Sequence, residues 1–526
     1  MALNSFPAEL LSMILGAVHD EDRRLEKRRR RPGHDLRNAR LVCRLWNALA
    51  VKHLFRQISL YHCRNKRTKH RVRRPLENEH RARLGDPRLD YNFNLWNAMT
   101  DSETVRQAAK VANVYSDMCY RHRKTWKAWE RGDWEDFQNA ISRVTDLPAL
   151  NELCVCFSEL TIAPGTIARL APLYPRNWEW WNEWGECEIS STRLNTLHHV
   201  FKAMVQHKTR HSNTIRALSI KNLGNFPFPE LLVPGSPLLD VVKDITKLRL
   251  HVTQEEVSHC RLQGDTEYVF DTPERREFEP FLQKELLPHF ADGLTSLQLS
   301  FRLPWGAAPG IFDGRGLVLP NLKTLSLGNF QIAHHDQFDW VLAHTSLEKL
   351  FLDHCVIVTL IHATDPQIDR WGINTDDWYK YPPRAWSFEV GRVYRFLGDW
   401  ETLFDRIRTT LTRLVDFRVA YTTPKCDYVD LPNPAHDAHL SPLRYDIISM
   451  VRCETAWNDH QNRREPNGDI VLGDNDKSSE PRTEFSWYPP RPKPNRARET
   501  ELGDGRAYEQ LLAVVRERWL RKQSYM

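Results

Sequence analysis

The residues best suited to metal chemistry form a short histidine-rich run in the second half of the chain. His334, His335 and Asp336 are adjacent, and His344 follows shortly after them. Imidazole nitrogens and carboxylate oxygens are common ligands of Zn²⁺, so this spacing could form a metal site. A helix over the segment would place His334 and His335 on different faces. We therefore interpret these residues as ordinary surface side chains and predict no metal ion.

The motifs of the common catalytic sites do not occur in the sequence. It contains no GxGxxG or GxxxxGKS/T phosphate-binding loop, no GxSxG nucleophile motif, no HExxH zinc motif and no paired CxxC. No sequence feature requires a cofactor. We therefore predict that the protein is not an enzyme and binds no cofactor.

Positive charge is concentrated at the start of the chain. Residues 1–74 contain 19 Lys and Arg against 6 Asp and Glu, a net charge of +13 in a chain whose total is +6. The runs at residues 27–31 and 64–74 could contact phosphates, but no aromatic stacking pattern accompanies them. We interpret them as solvated basic surface, with a nuclear import signal as the second interpretation. We do not expect nucleic-acid binding.

Length and composition indicate a folded chain with more than one folding unit. Its 526 residues exceed the ~250–300 at which a single core stops growing. Apolar residues make up 41% of the chain, which argues against disorder, and the ten scattered Cys indicate buried thiols. Because no apolar run reaches membrane-spanning length, we expect a soluble protein of the cytoplasm or nucleus, without membrane contact.

Two helical patterns open the chain. Residues 6–15, FPAELLSMIL, place Leu10 and Ile14 on one stripe, and Pro7 suits the first helical turn. Residues 36–55 repeat the helical spacing with apolar residues on two sides. Helices this short cannot bury so much apolar surface among themselves. We therefore expect part of that surface to contact a partner.

The N-terminal sequence resembles the F-box motif over about residues 3–60. An opening segment, Pro-x-Glu-Leu-Leu-x-x-Ile-Leu, and a closing segment, Leu-Val-Cys-Arg-x-Trp, occur together in the order typical of that family. The matching residues are Pro7, Glu9, Leu10, Leu11, Ile14, Leu15, Leu41, Val42, Cys43, Arg44 and Trp46. Phe6 stands where the family usually has Leu, and the 20-residue connection from Gly16 to Asp35 is longer and more basic than is typical.

The resemblance implies a three-helix module that docks a Skp-type adaptor and, through it, a cullin. The adaptor would cover an apolar face to which eight residues contribute. They are Pro7, Leu10, Leu11, Ile14, Leu15, Leu41, Val42 and Trp46. The alternative is that these helices only cap the domain behind them, since a stack of repeats needs a cap with its own apolar face.

A hexad of the form apolar-x-x-apolar-x-apolar recurs seven times behind this module. The copies begin at Leu150, Ile215, Ile245, Leu294, Leu322, Leu347 and Leu414. The pattern resembles leucine-rich repeats, in which each hexad forms a short strand with alternating side chains in the core. Because only two spacings between copies fall in the usual range of ~20–29 residues, we expect an irregular array with insertions.

Composition divides the chain into five segments. They are a 1–62 F-box module, a 63–140 basic helical connecting segment, a 141–450 irregular leucine-rich-repeat domain with aromatic insertions, a 451–504 polar Pro-rich linker and a 505–526 C-terminal amphipathic helix. We expect the aromatic insertion from about Thr359 to Asp405 to be a surface loop. The run WEWWNEW at residues 178–184 is interpreted as local packing of another insertion. Both insertions are candidate specificity elements.

Together these patterns predict a mixed α/β fold, with a three-helix F-box module followed by an irregular leucine-rich-repeat solenoid. The resemblance implies a substrate-recognition adaptor of an SCF-type (Skp–cullin–F-box) ubiquitin ligase. Such an adaptor holds the Skp subunit through its N-terminal helices and an unknown protein target through its repeats. The alternative is a leucine-rich-repeat protein-binding scaffold with no ligase role.

Overall fold

The computed structural model of the chain has a mixed α/β fold with a mostly parallel sheet, which is the fold class predicted from the sequence. It describes residues 9–18, 38–39, 41–61, 92–116, 134–159, 161–163, 188–254, 272–381, 392–421, 440–449, 457–458, 462–464, 470–472 and 496–524. The chain forms two compact units. Unit 1 is Met1–Pro164, Tyr174–Asn222 and Pro229–Thr246, and unit 2 is Gly165–Leu173, Leu223–Phe228 and Lys247–Met526.

Unit 1 combines helices with a short parallel sheet. Its helices are α1 (residues 9–18), α2 (Arg44–Leu54), α3 (Phe93–Asp101), α4 (Glu103–Ala108), α5 (Glu135–Ser142), α6 (Ser190–Arg210) and α7 (Pro237–Val241). Its strands are β1 (Gln57–Leu60), β2 (Val111–Tyr115), β3 (Glu152–Cys156), β4 (Thr161–Ile162), β5 (Glu188–Ile189) and β6 (Ala217–Gly224), of which residues 217–222 lie in this unit. The strands β1, β2, β3 and β6 pair in that order, all in parallel, and β4 pairs with β5.

Unit 2 has a parallel sheet to which antiparallel strands are added. Its strands are β7 (Lys247–Thr253), β8 (Ser296–Trp305), β9 (Thr324–Ile332), β10 (Lys349–Asp353), β11 (Val356–Ala363), β12 (Trp378–Lys380), β13 (Arg392–Phe396), β14 (Asp416–Ala420), β15 (Tyr445–Ser449), β16 (Trp457–Asn458), β17 (Asn462–Arg464) and β18 (Ile470–Leu472). Its helices are α8 (Pro273–Phe281), α9 (Asp339–Ala343), α10 (Asp365–Trp371), α11 (Trp400–Thr410), α12 (Arg496–Glu499) and α13 (Glu501–Ser524). The parallel order is β7-β8-β9-β10-β14, and β11 joins β9 and β15 in parallel but β13 in an antiparallel pair.

Each of the seven predicted hexads forms a strand that begins at its third residue. The strands are β3, β6, β7, β8, β9, β10 and β14. The apolar residues at hexad positions 1, 4 and 6 are buried in every copy. Position 4 is in register across unit 2, where Leu248, Leu297, Leu325, Leu350 and Phe417 lie side by side. The predicted strands are therefore confirmed. The alternation of buried positions 4 and 6 arises because successive side chains of a strand point to opposite faces of the sheet.

Two further strands lie in segments for which we predicted only helices. Strand β1 falls within residues 1–62, and β2 falls within residues 63–140, beside the expected helices α3, α4 and part of α5. Both strands follow the hexad pattern, with apolar residues at 55, 58 and 60 and at 109, 112 and 114. The parallel sheet of unit 1 therefore begins directly after α2.

The aromatic insertion at 359–405 is not a surface loop, contrary to our expectation. Most of it forms β11, α10, β12, β13 and the start of α11. The indole of Trp378 is buried and donates to the carbonyl of Ala333 at 2.6 Å, and that of Trp400 donates to the carbonyl of Arg444 at 2.8 Å. A buried indole needs an acceptor for its N–H, and here the backbone supplies it. These aromatic residues build the core of unit 2.

The C-terminal helix begins earlier than predicted and is part of unit 2. It starts at Glu501 and packs against α11 and β14. Within the predicted linker at residues 451–504, short strands β16, β17 and β18 are also present. In the described portion of the chain, no helix has the length and hydropathy needed to cross a bilayer.

Three of the four described cysteines are buried free thiols, as predicted, whereas Cys43 is only half-buried. The three buried cysteines are Cys154, Cys156 and Cys355. The Sγ atoms of Cys154 and Cys156 lie 3.6 Å apart on one face of β3. Burial raises the pKa of Cys355, which disfavours its reactive thiolate form.

A buried carboxyl on α8 makes the stability of unit 2 depend on pH. Glu279 is buried, and a Cβ on Gly310 would lie only 2.1 Å from its Oε2 atom. Burial raises the pKa of Glu279 from 4.5 to about 7, and the nearby positive charge of Arg275 offsets that rise only in part. Glu279 is thus protonated in the folded protein at pH values where the unfolded chain is ionised.

The substitution Glu279→Gln should stabilise the protein above pH 7. The stability that the carboxyl contributes is complete below pH 4.5 and is lost as the pH rises towards 7, because only the unfolded state releases the proton in that window. Glutamine does not titrate, so we expect a gain of about 2–3 kcal/mol at pH 8 and almost none at pH 4. Urea unfolding at both pH values measures the difference. An equal effect at the two values would contradict this account.

Candidate protein-docking surface

Helix α1 divides the predicted docking residues between two faces. Leu11 and Leu15, four residues apart, are each only 1% exposed, whereas Leu10 and Ile14 are 45% and 46% exposed. Met13 lies beside Leu10 and Ile14 on the helix surface and is also exposed. One face of α1 therefore packs inside the protein, and the other presents apolar side chains to solvent.

The inner face of α1 packs against α2. Leu15 clusters with Ala39 and Ala50, and the half-buried side chains of Val18, Trp46, Leu49 and Leu54 pack against this cluster. A hydrogen bond of 3.2 Å joins Ser12 Oγ to Nε2 of His53 on α2. We predicted Leu11 and Leu15 as docking residues, but their burial makes them structural.

A turn holds the second group of apolar residues outside this core. The amide of Leu41 donates to the Asn38 carbonyl at 2.9 Å, and the amide of Val42 donates to the Ala39 carbonyl at 3.2 Å. Leu41 is 85% exposed, and Val42 is also exposed. Leu45, in the first turn of α2, is a third exposed apolar residue, and we did not predict it. Leu45 follows Leu41 by four residues, the spacing of one helix face, and this spacing could have identified it as a docking residue.

The Trp46 side chain is half-buried, between the buried and the exposed docking residues. Its ring packs partly against the α1–α2 core. Its indole Nε1 is buried and has no hydrogen-bond partner among the described residues.

Exposed apolar side chains are concentrated in this short part of the described chain. Among the residues that the structure describes, fifteen large hydrophobic side chains are exposed, and six of them lie between residues 10 and 45. They are Leu10, Met13, Ile14, Leu41, Val42 and Leu45. Single exposed apolar residues are normal on protein surfaces, but a concentration of them marks an interaction site. We call these six residues the N-terminal apolar surface.

A second candidate surface is the face of the unit 2 parallel sheet that points away from the hexad core. One row across it consists of residues in register on β7, β8, β9, β10 and β14. They are Arg249, Gln298, Ser326, Phe351 and Arg418. Four of them are half-exposed and polar, and the guanidinium of Arg418 lies 5.3 Å from the centre of the Phe351 ring. We call these residues the polar row.

The histidine-rich run adopts a conformation that we did not predict. Residues 334–336 lie in a turn after β9, not in a helix, and their ligand atoms lie within 4.8 Å of one another. His344 is separate and buried, where its Nε2 accepts from the Leu319 amide at 3.0 Å and its Nδ1 bonds the Trp340 carbonyl at 2.6 Å. His334 is buried as well, so the interpretation as surface residues was wrong for both His334 and His344.

Several predicted elements lie outside the described residues. They are Pro7, the basic runs at 27–31 and 64–74, and the tryptophan-rich run at 178–184. The fold and the site define a mixed α/β protein that carries an apolar surface at the start of the chain. No model of a known protein family matches the chain, and no curated protein sequence matches it either.

Proposed function

We propose that this protein is the substrate-recognition subunit of an SCF-type ubiquitin ligase. In this proposal the N-terminal apolar surface docks a Skp-type adaptor, and through it a cullin. The sheet of hexad strands is an irregular leucine-rich-repeat array that holds a target protein. The protein itself carries out no bond chemistry and works in the cytoplasm or the nucleus.

The exposure of the N-terminal apolar surface is the observation that carries the proposal. The α1–α2 pair already has an internal core at Leu15, Ala39 and Ala50, so the exposed residues are not needed to hold these helices together. Keeping six large apolar side chains in water is unfavourable, because full burial of each would contribute about 1.5–3 kcal/mol. A partner that covers them recovers part of this free energy.

The same observation disfavours a plain N-terminal cap. A cap uses its apolar face to cover the repeat next to it and presents a polar outer face. Here α2 packs on α4, while Leu10, Ile14 and Leu41 remain exposed. The F-box resemblance assigns four of the six exposed residues to adaptor contact. Leu15 is buried in the core between α1 and α2, and Leu11 is buried as well.

The polar row is the best-supported position for a target protein. Its half-exposed side chains can form hydrogen bonds and ion pairs with a partner, and they stand on a rigid sheet. Repeat arrays commonly bind partners along the surface that their strands line. With the target held there and the ligase machinery held at the N-terminus, target lysines would meet the ubiquitin-conjugating enzyme at high effective concentration.

A pull-down tests the proposal on the full-length chain. A tagged wild-type chain should retain a purified Skp-type adaptor, and the double variant Leu10→Asp/Ile14→Asp should retain none. Val318→Asp is the matched control, because Val318 is a similarly exposed apolar residue in unit 2. Failure of the folded wild-type chain to retain the adaptor would overturn the proposal and leave the repeat scaffold without a ligase role as the better account.

A further inference from the structure

A cluster of histidine and aspartate side chains lies where the aromatic insertion meets the parallel sheet of unit 2. His334, His335 and Asp336 form the turn after β9, and Asp377 directly precedes β12. His335 Nδ1 lies 2.8 Å from Asp377 Oδ2, and His334 Nε2 lies 3.2 Å from Asp377 Oδ1. Residues about 40 positions apart in the chain therefore converge here.

The His334 side chain is nine-tenths buried and has one unsatisfied nitrogen. Its Nδ1 is hydrogen-bonded to the Asp336 carboxylate. Its Nε2 and the facing Oδ1 of Asp377 are both buried, and neither atom has a hydrogen-bond partner among the residues described. The two atoms are close to each other but not aligned for a hydrogen bond.

The proton positions make this arrangement unfavourable without a cation. A carboxylate only accepts hydrogen bonds, so Nδ1 of a neutral His334 carries the proton that Asp336 receives. Nε2 then has a lone pair that faces the carboxylate of Asp377. Two electron-rich atoms held 3.2 Å apart in a buried site require a positive charge beside them. A metal ion can supply it, and so can an added proton, either on His334 or on His335, whose Nδ1 is hydrogen-bonded to Asp377 Oδ2.

The surroundings of His334 match those of metal-ligating histidines. Such a histidine usually donates its second ring N–H to a carboxylate, which fixes the ring and its tautomer. Asp336 has this position, and Arg315 in turn holds Asp336 through an ion pair of 2.6 Å. His335 is fixed as well, because its amide donates to Asp377 Oδ2 at 3.1 Å and its carbonyl accepts from Arg406 at 2.8 Å.

We propose that His334 Nε2, His335 Nδ1 and the Asp377 carboxylate bind a divalent transition-metal ion, with Zn²⁺ as the expected ion. Two imidazoles and one carboxylate are ligands that Zn²⁺ accepts, and water can complete a four-coordinate site. The ion fastens the segment before β12 to the turn after β9, so that it stabilises the insertion on the sheet. This inference is independent of adaptor docking.

Titration of the full-length, EDTA-treated chain with Zn²⁺ tests the site. Isothermal calorimetry should give one ion per chain, and the melting temperature should rise with Zn²⁺. His335→Gln and Asp377→Asn should each weaken binding at least 10-fold, and Asp336→Asn should weaken it about 10- to 100-fold through His334. His289→Gln, at an exposed histidine on another segment of unit 2, should bind like the wild type.

Three readouts separate metal binding from loss of folding. The His335 side chain is exposed, so His335→Gln should keep the wild-type circular dichroism and metal-free melting temperature. Co²⁺ should give a visible absorption band in the wild type that this variant lacks. If the wild-type chain binds no Zn²⁺, or if His335→Gln and Asp377→Asn bind it as tightly as the wild type, a proton and not a metal ion balances the cluster and the proposal is wrong.

Discussion

Replacing Asp504 with alanine should lower the free energy of unfolding by about 3–5 kcal/mol, the largest effect on stability that we expect from a single side chain here. Asp504 lies near the start of α13 and is fully buried. Its Oδ2 forms an ion pair with Nε of Arg444 at 2.8 Å, and the Arg444 side chain is also buried. The substitution would leave a guanidinium in the core without its counter-charge.

The hydrogen bonds around Asp504 explain why little can compensate for its loss. Its Oδ2 also accepts from the hydroxyls of Thr500 at 2.7 Å and Tyr445 at 3.0 Å, and its Oδ1 accepts from the amide of Glu401 at 3.0 Å. The carboxylate therefore joins α13, α11 and the segment that leads into β15. Breaking a buried network leaves each former partner unsatisfied, which costs more than the bonds themselves contribute.

An exposed ion pair between the same two helices provides the control. Arg506 on α13 contacts Glu401 on α11 at 2.9 Å; the Arg506 side chain is largely in solvent and that of Glu401 is half-exposed. Surface pairs contribute ~0–1 kcal/mol, so Arg506→Ala should have little effect. Urea unfolding followed by tryptophan fluorescence measures both variants. Equal midpoints for Asp504→Ala and the wild type would show that α13 does not depend on this network.

Two neighbouring residues of α1 should respond to substitution in opposite ways. Ile14→Asp should weaken adaptor binding at least 100-fold and leave stability nearly unchanged, because it places a charge at an exposed anchor of the proposed interface. Leu15→Ala should lower the free energy of unfolding of the α1–α2 core by about 2–5 kcal/mol, because it leaves a cavity beside Ala39 and Ala50. The two effects separate docking from folding.

Calorimetric binding and thermal unfolding of the two variants provide the comparison. Val318→Asp controls for the general effect of a new charge at an exposed apolar position. If Ile14→Asp destabilised the protein as much as Leu15→Ala, the outer face of α1 would have to be covered by this chain itself. The proposal that a partner protein covers that face would then be wrong.

The sheet could be predicted from the sequence because its strands share one local pattern. Apolar residues at hexad positions 1, 4 and 6 locate seven strands, each of which begins at the third hexad residue, and their register follows from aligning the hexads. We did not predict strands β1 and β2, although their sequences fit the hexad pattern. In the hexad that leads into β2, the small residues Ala109 and Ala112 replace the usual Leu, so the hydrophobic signal is weak.

The division of α1 into an inner and an outer face could not be predicted. Leu10, Leu11, Ile14 and Leu15 have similar hydrophobicity, and together they cover more than one stripe of the helix. Only the position of α2 decides which pair is buried, and that is a tertiary contact. The family resemblance identified the residues of the site but not the separate roles that burial gives them.

Long-range pairing explains the other differences between sequence and structure. The histidine-rich run gains a further carboxylate from Asp377, which lies some 40 residues away. The aromatic insertion becomes core because β13 pairs with β11 and places Tyr394 beside Ile361. Local periodicity carries no information on such contacts, whereas it suffices for strands that follow one another along the chain.

Hydrogen–deuterium exchange of the full-length chain, with and without a purified Skp-type adaptor, tests the central claim most directly. The account predicts that the adaptor slows exchange in α1 and in residues 41–54, and that strands β7 to β10 exchange as they do in the free protein. Protection confined to the sheet, or unchanged exchange throughout at saturating adaptor, would contradict the assignment of the N-terminal apolar surface as the docking site.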